Sequence, residues 1–280
     1  DFSKEKFTHG LIAGVTGSGK SVMLRNFIYS LAYTCSPKEN TFLVLNPKNI
    51  SFDGIEDLPH VQYFYTQASV EETVNSLYEL TIKRNEGKEL LPNVYVFADE
   101  VASFSKEAKG KLKTIAEMGR ALNIHLLLAT QKPTANSIPT DLKSQMTFTL
   151  TGMVSNKQDA FYVNGVKDSG AENLTGNGLF IFNAPGYNNV LVQALMSEGE
   201  DKEIQTLIIE KWGIEKYNEG LLNTQSIITA PEYITDRIDW VDTLNVEMTI
   251  KQVQDSHFLY YAKQLNRETA TKVLQWVSAK

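Results

Sequence analysis

Cysteine is nearly missing: Cys35 stands alone among 280 residues. No internal disulfide can form and no cysteine-rich zinc site can be assembled, so a reducing compartment is expected, with the cytoplasm fitting best. Positive charge is in short supply as well. Lys and Arg total 27 against 33 Asp and Glu, a net charge of −6, which excludes the global basic field that advertises a nucleic-acid partner. Any polyanion must be held by local groups. Long apolar runs are lacking too, since the longest, such as Ile124-His125-Leu126-Leu127-Leu128-Ala129, fall far short of the ~20 residues that span a bilayer. His9, His60, His125 and His257 lack metal-ligand spacing and read as structural. There is no internal repeat and no low-complexity tract. What is present is ordinary globular composition, 42% hydrophobic and 21% charged, which excludes wholesale disorder, collagen and coiled coil. The chain opens at Asp1 with neither Met nor a charged-then-apolar leader, and reads as a piece of something longer.

Short apolar runs alternate with amphipathic segments over the first two-thirds, the pattern of an α/β protein with crossover helices. Strands are expected at 9–14, 41–46, 61–65, 94–99, 124–130, 146–152, 179–183 and 190–194, and helices near 20–33, 70–85, 105–122 and 157–164. After Thr147 no long helix separates the strands, so the later part of the sheet is expected to be antiparallel and at an edge. From about Ser197 the composition shifts: Ser197–Glu219 holds seven acidic residues against three lysines. The expected division is therefore 1–196, an α/β domain, and 197–280, a small helical C-terminal appendage.

The strongest motif is Gly14-Val15-Thr16-Gly17-Ser18-Gly19-Lys20-Ser21, a Walker A phosphate loop between a strand pattern and a helix pattern. Its glycines let backbone N–H groups turn inward around phosphates, Lys20 supplies a point charge, and the Ser21 hydroxyl can ligate Mg²⁺. Gly14, Thr16, Gly17, Ser18, Gly19, Lys20, Ser21 and Val22 form the expected ATP cradle. A second acidic part is required to complete a metal site. Val94-Tyr95-Val96-Phe97-Ala98-Asp99-Glu100 supplies it, with Asp99 facing Mg²⁺ and Glu100 placed to activate the attacking water; an acidic strand end that merely caps the next helix is the plainer explanation. The third element is the 124–130 strand, which ends in Thr130-Gln131. If it lies beside the Asp99 strand, Gln131 senses the γ-phosphate.

Together, His9–Ser21, the Asn46-Pro47-Lys48 and Leu58-Pro59-His60 triplets, Val96–Glu100, Gly119–Pro133 and Gly170–Phe182 resemble the blocks of the FtsK/SpoIIIE branch of P-loop motors, over about residues 8–195. The resemblance implies a RecA-like domain that assembles as a homo-oligomeric ring, expected to be a hexamer, binds ATP between subunits and pulls double-stranded DNA through its centre. Related members serve conjugation, genome packaging or type VII secretion, so a coupling ATPase moving protein or nucleoprotein is the alternative cargo reading. A membrane-anchored partner, or an anchor preceding Asp1 at the inner face of a bacterial membrane, is also implied. Asn46 stands where the family commonly has Asp, and Ser144–Leu150 and Ser155–Phe161 lack the arginines many members carry. Arg120 and Arg84 remain as candidates for the trans-acting cation a ring motor needs, each with the plainer reading of a solvated helix-end charge. The missing arginines also raise the possibility of a nucleotide-binding ring-assembly module with little turnover.

For gripping DNA, phosphate contacts act within a Debye length of ~8–10 Å, so local cations suffice. The loop Lys132–Lys143, directly after Gln131, is the preferred candidate; Ser103–Arg120, with Lys106, Lys109, Lys111 and Lys113, reads more simply as a solvated helix face. The apolar spacing of Ile250 through Val277 reads as packing.

Overall fold

Most of the strand-like runs are predominantly apolar, which is what burial on both faces demands. In the computed structural model, which describes residues 7–48, 52–87, 90–195 and 201–222, they become one eight-stranded sheet. The strands are β1 (His9–Ala13), β2 (Asn40–Leu45), β3 (Val61–Phe64), β4 (Asn93–Ala98), β5 (Ile124–Thr130), β6 (Phe148–Thr151), β7 (Leu179–Ala184) and β8 (Tyr187–Gln193). Their order is β3-β2-β4-β5-β1-β6-β7-β8. The helices are α1 (Lys20–Thr34), α2 (Gln67–Gly87), α3 (Lys106–Gly119), the short α4 (Thr140–Lys143), α5 (Lys157–Asn164) and α6 (Asp201–Trp212).

Alternate residues of each strand serve opposite faces. Leu43, Leu45, Val94, Val96, Leu126 and Leu128 pack with Val70, Val74 and Leu77 of α2 and with Leu112 and Ile115 of α3. Their neighbours Phe42, Val44, Phe97, Leu127 and Ala129 pack with Met23, Leu24 and Ile28 of α1 and Ile208 of α6. The parallel strands thus carry helices on both faces, and their carboxyl ends line up along one rim of the sheet. This is the RecA-like P-loop NTPase architecture that the resemblance implies, and β7 and β8 are its antiparallel edge.

One expectation is corrected. β6 joins β1 in parallel, Gly10 opposite Phe148 through Ala13 opposite Thr151, so the antiparallel region begins only at β7. A parallel return needs a crossover of roughly a dozen residues, not a long helix. Residues 131–147, with the single turn of α4, provide it.

The chain separates into two compact units, Asp1–Asn223 and Thr224–Lys280. Residues 201–222 belong to the first unit, whereas the sequence placed a boundary after 196. Arg25 pairs with Asp201 at 2.7 Å, Gln205 donates to the Tyr29 hydroxyl at 2.9 Å, and the Trp212 indole N–H donates to Ala32 O at 2.9 Å, so α6 lies along α1. The rest of the expected appendage, including Ile250 through Val277 and His257, lies outside the described residues.

Candidate functional site

The loop between β1 and α1 takes its shape from glycine. Gly17 and Gly19 have φ of 82° and 94°, a left-handed region that costs other residues roughly 1–2 kcal/mol. The loop is anchored at its entry by Gly14 N–H to Thr130 O (3.2 Å) and Val15 N–H to Met153 O (2.8 Å). Its outward carbonyls are held by a second glycine turn, as Asn177 N–H donates to Gly17 O and Gly178 N–H to Ser18 O, both at 3.0 Å. The first helix-closing bond runs from Met23 N–H to Gly19 O at 2.9 Å. The N–H groups of Lys20, Ser21 and Val22 therefore precede it at the N-terminus of α1, where an anion is favoured.

Into this cradle the helix delivers two side chains. Lys20 is only 6% exposed, and its ammonium donates to Val15 O at 3.2 Å. Burial holds its pKa below the usual lysine value, against the pull of Asp99 and Glu100. The Ser21 hydroxyl donates to Asp99 Oδ2 at 3.2 Å. Asp99 arrives on the end of β4, and burial raises its pKa above the ordinary aspartate value despite Lys20 and the Ser21 hydrogen bond. A poorly solvated carboxylate beside a hydroxyl is a hard oxygen donor set suited to Mg²⁺. The residues present fit a Mg²⁺–triphosphate.

Glu100 follows with φ 61°, another left-handed residue and a non-glycine one, which turns its carboxylate toward β5. Oε1 accepts from the Thr130 hydroxyl at 3.4 Å and from Gln131 N–H at 3.3 Å, while Oε2 accepts from the Lys48 ammonium at 3.1 Å. Thr16 in turn donates to Gln131 Oε1 at 3.3 Å. The arrangement depends on strand order: β5 lies between β1 and β4, so the cradle, the acidic pair and Gln131 meet on one rim. Thr16, Lys20, Ser21, Asp99, Glu100 and Gln131 are brought together.

The arginines are not. Arg84 is 2% exposed, and it donates to Leu122 O at 2.9 Å and Pro92 O at 2.6 Å, the residues that lead into β5 and β4. It sits at the opposite end of the sheet from the cradle. Arg84 is therefore corrected from a trans-acting cation to an internal tie, because a buried guanidinium cannot project to a neighbour. Arg120 lies at the same end in the turn before β5, exposed at the surface.

The cation segments are also largely engaged. The Lys143 ammonium donates to Tyr162 O and sits 4.5 Å over the Tyr162 ring, so this end of the proposed DNA loop is committed internally. Lys132 is exposed. Lys109 is buried and donates to Ala102 O at 3.0 Å and Asn136 O at 3.4 Å. Lys111 pairs with Glu107 at 2.7 Å and Lys113 with Asp141 at 3.4 Å. Sequence reasoning gave no role to Lys48 or to the 176–178 turn; the Asn46-Pro47-Lys48 and Gly176-Asn177-Gly178 runs were the available signals.

Residues 1–96 match the model of the FtsK/SpoIIIE family. The DNA translocase FtsK of Helicobacter pylori strain J99 is 28% identical over 286 residues, covering 91% of this chain and 33% of that protein. Over these residues the chain is similar to FtsK/SpoIIIE proteins. It spans about a third of the length of that curated protein and of its counterpart in strain 26695. Among solved structures, the fold matches the cytoplasmic domain of the Thermomonospora curvata type VII secretion ATPase EccC with TM-score 0.62 and 22% identity, over 76% of this chain and 29% of that one. It matches the pCW3 conjugation coupling protein TcpA, solved in a monomer form with ATPγS, with TM-score 0.61 and 24% identity, over 74% of this chain and 65% of that one. Among the described residues no helix is long and apolar enough to cross a membrane.

Proposed function

We propose that this chain is the ATP-hydrolysing motor part of an FtsK-type translocase that moves double-stranded DNA through a homo-oligomeric, hexameric ring. The observation that carries the reading is the joining of the Walker A helix to the acidic strand, Ser21 Oγ to Asp99 Oδ2 at 3.2 Å, with Lys20 beside them. Lys20 and the N–H groups of residues 20–22 bind the phosphates, and Ser21 and Asp99 hold Mg²⁺, which supplies positive charge to the leaving oxygens. Glu100 accepts the proton of the attacking water. Gln131, hydrogen-bonded to Thr16, reports the state of the γ-phosphate to the loop that begins at Lys132. Arg120 is the remaining candidate for a cation given to a neighbouring subunit, and Lys132 the exposed cation of the DNA loop. The duplex-DNA cargo is favoured by the relatives at 28–29% identity, which are named DNA translocases.

The test is the ATPase rate with and without duplex DNA for wild type, Lys20→Ala and Glu100→Gln. DNA-stimulated turnover that disappears in both variants supports the proposal. Turnover indifferent to DNA redirects it to a protein-moving coupling ATPase, and binding without turnover to an assembly module.

A further inference from the structure

Lys48 is the one charged member of the cluster to which hydrolysis gives no task. It is delivered by β2, the strand that pairs with β4 from Asn40 opposite Asn93 to Leu45 opposite Ala98, and Asp99 N–H donates back to Leu45 O at 2.9 Å. Asn46 is pinned, its N–H to Phe64 O at 2.8 Å and its side-chain amide to the Tyr63 hydroxyl at 2.9 Å. Pro47 then fixes its own φ and ends the strand. The Lys48 ammonium emerges beside Glu100 and reaches Oε2 at 3.1 Å, with side-chain exposures of 43% and 8% for the two residues.

That asymmetry carries the inference. A carboxylate this deeply buried needs a charged partner, and among the described residues no other ion pair reaches Glu100. The cradle holds two carboxylates, Asp99 and Glu100, against two ammoniums, Lys20 and Lys48, and all four interact electrostatically. Ser21 already occupies Asp99, and Lys20 faces the phosphate loop, which leaves Lys48 for Glu100. The other oxygen of Glu100 is fixed by β5. The two anchors come from the strands on either side of β4, so together they set where the carboxylate stands.

We propose that Lys48 is the positioning residue of Glu100, holding its carboxylate in place for the attack on the γ-phosphate. The inference rests on the ATPase reading above and deepens it. Loss of Lys48 frees a base whose effect depends on placement to within about 1 Å, so turnover falls by about 100-fold while nucleotide binding is largely kept.

The experiment uses Lys48→Met, Lys48→Arg, Glu100→Gln and the Lys48→Met/Glu100→Gln double variant, read by melting without nucleotide, binding of a fluorescent ATP analogue, and steady-state hydrolysis. Expected results are a Tm loss of roughly 2–4 °C in Lys48→Met that the double variant recovers, because a neutral amide no longer needs the cation. Expected too are kcat about 100-fold lower in Lys48→Met, a dissociation constant within about threefold of wild type, and substantial recovery of kcat in Lys48→Arg. Wild-type kcat in Lys48→Met, or a loss of affinity as large as the loss of kcat, overturns the inference, as does a double variant no more stable than Lys48→Met. A wild-type protein that never turns ATP over instead removes the ATPase reading beneath it.

Discussion

Two glycines of the phosphate loop look alike in sequence and differ in what surrounds them, which makes them a matched pair. Gly17 (φ 82°) has nothing within 4 Å of where a Cβ would stand, whereas a Cβ on Gly19 (φ 94°) would lie 2.6 Å from Gly178 Cα. Gly17→Ala carries only the backbone penalty, about 1–2 kcal/mol. Gly19→Ala carries the same penalty plus an overlap of roughly 1 Å against backbone, where carbon contacts settle near ~3.5–4.0 Å. Relieving the overlap means parting the two 3.0 Å bonds from Asn177 and Gly178 to the loop carbonyls, at about 1 kcal/mol each. The totals are about 1–2 and 3–4 kcal/mol, which at roughly 2–4 °C per kcal/mol give Tm losses near 4 °C and 10 °C. Calorimetric melting without nucleotide reads the difference, and ATP-analogue titration should show Gly19→Ala the weaker binder. Equal Tm losses in the two variants would refute the close approach of the 176–178 turn to the phosphate loop.

Three further outcomes follow from buried charges. Lys20→Met should leave the nucleotide-free protein as stable as wild type or slightly more so, since burial disfavours the ammonium, yet abolish the Tm gain on adding Mg-ATP; both are read in one melting series. Arg84→Met should lower stability by about 3 kcal/mol, because two carbonyls lose a charged donor, while ATP-analogue affinity at 20 °C stays unchanged. For pH, burial lowers His9 and His125 from 6.5 to about 4. Between those values the unfolded chain binds more protons than the folded one, so stability is full above pH 6.5 and is lost as pH falls toward 4. By pH 5 the loss is about 2 kcal/mol per histidine. Tm should fall between pH 7 and pH 5, less steeply in His125→Gln.

The parts most legible in sequence were those where one strand speaks for itself. β4 and β5 are largely apolar runs leading into polar residues, and β5 was read to its observed ends, Ile124–Thr130. The Walker A loop was equally plain, because the Gly-rich turn, the lysine and the following helix are contiguous. What escaped depends on neighbours. The start of β8 was missed because Tyr187-Asn188-Asn189 follows Gly186 and reads as a turn, and Asn189 does take φ 51°. The end of the 105–122 helix is a separate 3-10 turn, Arg120–Leu122. Arg84 read as a candidate trans-acting cation or a solvated helix end; only the approach of the segments leading into β4 and β5 turns it into a buried tie. The Lys48–Glu100 pair joins residues 52 apart through the β2–β4 pairing, a relation that no local spacing encodes.

Whether residues 14–22, Asp99 and Glu100 together handle a Mg²⁺-bound triphosphate is decided by an experimental structure with ATPγS and Mg²⁺. The phosphates are expected against the N–H groups of residues 20–22 and the Lys20 ammonium, the metal beside Ser21 and Asp99, and Glu100 facing the γ-phosphate. Nucleotide bound elsewhere, or a metal that Asp99 does not approach, would contradict that arrangement.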